Sequence, residues 1–92
     1  MHTIWKFPLE LTDTQEISIP SQYELLDIIE QHPNKFMMWA VVNEQAPKEI
    51  IKIEIYGTGH PIKDIISLKH IKTLCASNGI LVWHFFERIS HD

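Results

Sequence analysis

The chain has 92 residues, of which 45% are hydrophobic, with one cysteine and a formal net charge of −4. That length carries one domain around one core. A lone thiol excludes an internal disulfide, and the acidic balance disfavours a surface devoted to duplex nucleic acid, whose binding rests on Lys and Arg neutralising phosphates. No stretch reaches the roughly 18 consecutive apolar residues of a membrane span. The N-terminus shows no basic region followed by an apolar run and a cleavage site, so a cytoplasmic location is expected.

In chain order, residues 3–11 alternate as a strand, with Trp5, Phe7, Leu9 and Leu11 on one face and Ile4, Lys6 and Glu10 on the other. Pro8 cannot donate to a ladder, which predicts an edge or a bend. Thr12-Asp13-Thr14 supplies turn chemistry and residues 15–19 alternate again through Ile17 and Ile19, so the first two strands are expected to form a hairpin. Pro20-Ser21 ends it. Residues 23–31 fit two patterns: Leu25, Leu26, Ile28 and Ile29 make a helical stripe, while strict alternation makes a strand. The segment is short and bounded by proline turns, which favours the strand.

His32-Pro33-Asn34-Lys35 reads as a turn, and residues 36–42 follow with both faces apolar, the mark of a central strand. A polar loop over 43–48 leads to the most regular stretch, 51–56. There Ile51, Ile53 and Ile55 occupy one face and Lys52, Glu54 and Tyr56 the other. It runs into Gly57-Thr58-Gly59-His60-Pro61, where two glycines permit positive φ or close approach and Pro61 fixes its own φ. Residues 62–68 carry helix-like spacing and are expected to form one short helix or helical loop. Asn78-Gly79, a strong hairpin signal, pairs residues 70–76 with 80–88, and the latter run is apolar enough on both faces to be central. The pattern predicts a mostly β fold in a single domain over 1–92: a small antiparallel sheet, barrel or sandwich of about six to seven strands with at most one short helix.

Catalytic chemistry finds little footing. Six histidines invite a metal, yet no Cys-x-x-Cys, His-x-His or His-Glu-x-x-His spacing is present. Cys75 lies in an apolar run where a buried, inert thiol is the usual outcome, and neither it nor Ser77 sits in a nucleophile turn. Gly57-x-Gly59 lacks the third glycine of a dinucleotide fingerprint. The expectation is a non-enzymatic protein with no catalytic residue, metal or cofactor.

Binding chemistry is better represented. Lys6 and Lys35 face seven acidic residues in 1–46, whereas Lys48, Lys52, Lys63, Lys69, Lys72 and Arg88 face five in the remainder. The cations therefore gather around the glycine turn, where they either attract a small anion or serve as a solvated face. Backbone amides of Gly57, Thr58 and Gly59, with Lys52, His60 and Lys69, are candidates to hold phosphate oxygens. Trp5, Trp39, Trp83, Tyr23 and Tyr56 are candidates either to stack on a planar ring or to fill the core.

Trp5-Lys6-Phe7-Pro8-Leu9, Trp39-Ala40-Val41-Val42, Gly57-Thr58-Gly59-His60-Pro61 and Val82-Trp83-His84-Phe85-Phe86-Glu87 together resemble a family of short proteins encoded by phages and prophages, in which similar segments occur in this order. The resemblance spans almost the whole chain, with departures between residues 62 and 76. It implies a phage gene context, an infected bacterial host and a mostly β fold, and it supplies no reaction. The leading expectation is a homo-oligomeric binder that sequesters a small anionic signal, a cyclic nucleotide or an ADP-ribose derivative, to counter host defence. Thr58 and His60 would contact the ligand, Lys52 or Lys69 its phosphate, and Trp39 or Tyr56 its ring. The alternatives are an inhibitor that blocks a host protein through the first strand, with Trp5 and Pro8 as anchors, and a metal-dependent hydrolase of the same signals.

Overall fold

The Ile51/Ile53/Ile55 alternation does what its period dictates: all three side chains are at most 5% exposed and face the core. In the computed structural model, which describes residues 1–76 and 79–89, they belong to β5 (Lys48–Gly57). The other strands are β1 (His2–Leu9), β2 (Thr14–Pro20), β3 (Glu24–His32), β4 (Lys35–Asn43), β6 (Leu68–Cys75) and β7 (Val82–Arg88). They form two antiparallel sheets, one in the order β1-β4-β3 and the other β2-β5-β7-β6. The helical segment expected over 62–68 is reduced to a 3-10 turn, Ile65–Ser67.

The two sheets face each other across one core. Leu9, Ile28, Phe36, Met38, Ala40 and Val42 come from the three-stranded sheet, and Ile19, Ile51, Ile53, Ile55 and Phe85 from the four-stranded one. Phe36 and Phe85 meet between the sheets with ring centroids 5.5 Å apart, tilted by 59°, a favourable aromatic geometry. The result is a slab with principal extents of 41 × 34 × 16 Å. As the two-sided apolar pattern predicts, β4 and β7 are interior strands, and β1, with its Pro8, is an edge.

The expected β1–β2 hairpin does not form. β1 pairs with β4 and β2 with β5, so the chain changes sheets between Leu9 and Thr14. Both strands have an apolar face to bury, and placing them in opposite sheets buries both against one core. The crossing is held by the Gln15 side chain, which accepts from the Glu10 N–H at 3.0 Å and donates to the Glu10 carbonyl at 2.7 Å. The amide thus supplies the ladder partner that a neighbouring strand would otherwise give.

β3 is a strand, and the helical stripe in its sequence has a specific cause. Leu25 pairs with Ala40 and Asp27 with Trp39, leaving Leu26 as an extra, bulged residue. Leu25 and Ile28 therefore both face inward at a spacing of three, while Leu26 is 45% exposed. β6 and β7 pair antiparallel from Leu68↔Arg88 to Cys75↔Val82. Gly79, at φ +73, donates its N–H to the Ala76 carbonyl at 2.8 Å. Asn78, the other half of the hairpin signal, lies outside the described residues.

Candidate functional site

The glycine turn continues directly from β5. The His60 N–H donates to the Gly57 carbonyl at 3.1 Å, and Gly59 takes φ +91, the left-handed third position of a type II turn, for which glycine is suited. Gly57 is needed for a different reason. A Cβ on it would stand 3.0 Å from His60 Cε1 and 3.3 Å from Trp83 Cζ3, so the missing side chain lets the imidazole and the indole close on the backbone.

The turn is tied to the sheet by a run of side-chain hydrogen bonds over the outer face of β7 and β6. Register places Tyr56, His84 and Thr73 in one row across β5, β7 and β6. The Thr58 hydroxyl lies 2.8 Å from His84 Nε2, Thr73 Oγ1 3.0 Å from His84 Nδ1, and His70 Nε2 2.8 Å from Thr73 Oγ1. A neutral His84 ring satisfies both threonines by donating at one nitrogen and accepting at the other. Thr58 is thereby fixed without any contribution from a ligand.

A second network lies beside the first. Glu54 is 3% exposed on the outward face of β5, and both of its oxygens are used: Arg88 Nε donates at 2.5 Å and the Tyr56 hydroxyl at 2.6 Å. Arg88 also donates to Asp64 at 3.1 Å, tying the 58–67 segment to the sheet. Burial pushes the Glu54 carboxyl up, but the hydrogen bonds from Arg88 and Tyr56 outweigh it and hold the group below the usual glutamate value. Its own bond to that carboxylate, with burial, pushes the Tyr56 phenol up to about 12. Hydrogen bonds from Ser67 and Arg88 hold Asp64 below the usual aspartate value.

Three cavities meet at His60. One of about 310 Å³ is lined by Gly57, Thr58, Leu81, Val82 and Trp83, and one of about 170 Å³ by Leu11, Asp13, Ile55 and Trp83. The third, of about 630 Å³, is lined by Asp13, Tyr56, Lys63, Asp64 and Arg88 among others. The site is a groove with an apolar, indole-bearing wall on one side and mixed charge on the other. Arg88 is engaged by Glu54 and Asp64, while Lys63 lines the same cavity.

Of the residues singled out from sequence, the fold brings Tyr56, Gly57, Thr58, Gly59 and His60 together. It does not bring the others. Lys52 lies five residues back along β5, a separation of about 17 Å at strand rise. Lys69 pairs opposite Glu87, four residues along β7 from the Trp83 that pairs with Gly57, or about 13 Å away. Trp39 stands on the outer face of the other sheet, opposite Lys6 and Asp27. The aromatic that closes on Gly57 is Trp83, half-buried and packed against the core as well as lining the groove. Lys63 and the His84/Thr73/His70 run were not selected from sequence; the alternation of β7, which puts His84 on the face opposite Phe85, is the signal that points to the latter. Among the described residues, no group of three or more His, Cys, Asp and Glu is placed to hold a metal ion, and no helix is long and apolar enough to cross a membrane.

Fold and site together define a small two-sheet antiparallel sandwich with a glycine-turn groove at one end of its larger sheet. The chain belongs to the family described as a domain of unknown function, DUF7352, whose model matches residues 1–92. No curated protein and no solved structure matches the chain.

Proposed function

We propose that this protein is a non-enzymatic, phage-encoded binding domain that holds a small ligand of nucleotide type in the groove at His60, withdrawing a host defence signal from its receptor. The observation that carries the reading is the fixed turn: Thr58 is locked through His84, and the His60 and Trp83 rings both close on Gly57. A site held in place before binding spends little of its interaction energy on ordering. The indole wall suits a planar ring, and the turn amides, His60 and Lys63 suit an anionic group. Lys52, Lys69 and Trp39 have no part in this version of the site.

The test is calorimetric titration of the purified protein with ADP-ribose and, separately, with a cyclic nucleotide. Binding that is lost in His60→Ala and weakened in Lys63→Ala, but retained in Lys69→Ala and Lys52→Ala, supports the groove. Binding that follows Lys69 instead, or no heat with either compound at millimolar concentration, refutes it. A second reading, blockade of a host protein through the first strand, draws on a different surface, the outer face of β1, where Ile4 is 57% exposed and Pro8 is exposed, whereas Trp5, the other expected anchor, packs against the core.

A further inference from the structure

The sheet edges are marked against extension. β1 carries Pro8 within its pairing to β4, β2 ends in Pro20, and β3 and β6 are bulged. Prolines and bulges of this kind suppress strand addition, which leaves the faces as routes of association. The outer face of the four-stranded sheet is occupied by the two hydrogen-bond networks and tied to the 58–67 segment through Arg88 and Asp64. The outer face of the three-stranded sheet is different. Its middle strand presents Met37, Trp39 and Val41, half-buried, and its flanks add Ile4 and Ile29, which are 57% and 40% exposed.

Register arranges this face in three rows: Ile4, Val41 and Glu24; Lys6, Trp39 and Asp27; Pro8, Met37 and Ile29. In each row the β4 residue is the centre and the flanks come from β1 and β3. The middle row has a cation on one side of the indole and an anion on the other.

We infer that this face binds a second copy of the same chain, with the two copies related by a two-fold axis parallel to β4. Such an axis preserves the rows and exchanges their flanks. Trp39 then meets the partner's Trp39, Pro8 lies opposite the partner's Ile29, and Lys6 lies opposite the partner's Asp27. Asp27 is equipped for this: its Oδ1 takes Lys72 at 3.0 Å and the Ile28 N–H at 2.8 Å, and its side chain is still 48% exposed. A carboxylate offers about four acceptor positions, so a second ammonium is accommodated. The other two-fold in the interface plane, across the strands, sets Lys6 against the partner's Lys6 and is opposed by like charge.

Two such faces would stack about 10 Å apart, as aligned sheets do. Three strands about 4.8 Å apart and eight residues at about 3.3 Å each give a footprint of about 14 × 26 Å per copy. That is small beside the roughly 800 Å² per partner of a standard stable interface, so the association is reversible and concentration-dependent. It is independent of the His60 groove, which lies on the other sheet.

Sedimentation equilibrium from low micromolar to several hundred micromolar protein tests the inference. The expected result is a monomer–dimer equilibrium that Trp39→Glu abolishes and Lys6→Glu weakens by at least about tenfold. Ile66→Glu, at a site 90% exposed on the 3-10 turn, should leave it unchanged. Circular dichroism establishes that each variant is folded; if Trp39→Glu is not, Lys6→Glu, at an exposed position, decides. A wild-type protein that stays monomeric throughout overturns the inference and leaves the face to a different protein. So does a dimer indifferent to both variants, and tightening by Lys6→Glu overturns the proposed axis.

Discussion

Replacing Glu54 by Gln isolates the charge of a group that is 3% exposed and doubly hydrogen-bonded. The amide keeps one carbonyl oxygen for Tyr56 but turns an N–H₂ toward Arg88 Nε, so donor faces donor where a charge-assisted bond stood. Hydrogen bonds to charged groups contribute about 1.5–3 kcal/mol, and an unmet buried donor costs about 1–3 kcal/mol. A loss of about 2 kcal/mol is therefore expected, or about 8–16 °C in Tm for a domain of this size. Urea denaturation should show it as a lower midpoint at unchanged slope.

The pH dependence gives a sharper check. The folded-state pKa of Glu54 lies below its ordinary value of 4.5. Its contribution is therefore complete above the unfolded value and disappears as pH falls through the folded one. The gap between wild type and Glu54→Gln should be widest at neutral pH and close in acid. A variant within about 0.5 kcal/mol of wild type, the ordinary range of a surface substitution, with the same acid slope, would refute the buried-network reasoning.

Gly57→Ala should displace the His60 ring, because the new Cβ would sit 3.0 Å from Cε1; shifts of the His60 and Trp83 side-chain NMR signals, with stability lowered by about 1 kcal/mol, are expected, and unchanged signals would mean that the ring does not pack there. Phe85→Ala, which empties a fully buried position in ring contact with Phe36 across the sheets, should cost about 3–5 kcal/mol in a urea titration. A cost under about 1 kcal/mol, within the range of a surface change, would contradict the two-sheet core. The protein has two tyrosines, and both are raised, Tyr23 by burial and its bond to Glu87 and Tyr56 by its bond to Glu54. Their protonated forms support the fold below the unfolded value of 10, and that support is lost as pH rises through the folded values. Tyrosinate absorbance should accordingly appear together with alkaline unfolding, and ionisation near pH 10 with the fold intact would count against both bonds.

Strand identity was legible wherever the apolar pattern has a period of two on one face or fills both. The Ile51/Ile53/Ile55 alternation, the two-sided β4 and β7, and Pro8 on an edge all follow from local pattern. Strand partnership was not. β1 and β2 are adjacent in sequence and each is half-apolar, and that pattern is equally satisfied by pairing side by side or by facing each other across a core. The same limit governed the site. The glycine turn was visible because Gly57 through Pro61 are contiguous. Lys52, Lys69 and Trp39 were grouped with it by composition; the strand itself carries Lys52 about 17 Å away, and sheet order sets Lys69 well along β7 and Trp39 on the other sheet. Glu54 reads as solvent-facing by alternation, and its burial depends on Arg88, 34 residues away.

The bulge in β3 makes chain length, rather than residue identity, the adjustable quantity in that strand. Removing Leu26 would leave Leu25 facing in, Asp27 out and Ile28 in, with every partner on β4 from Ala40 to Met38 retained. A one-residue deletion there is thus compatible with the sheet, whereas the same deletion within the unbroken register of β5, such as loss of Lys52, would turn Ile53 and Ile55 out of the core. The sandwich accordingly tolerates loss of a residue at its β3 edge and forbids it at its centre, so length differences among members of the family are expected to collect at the former.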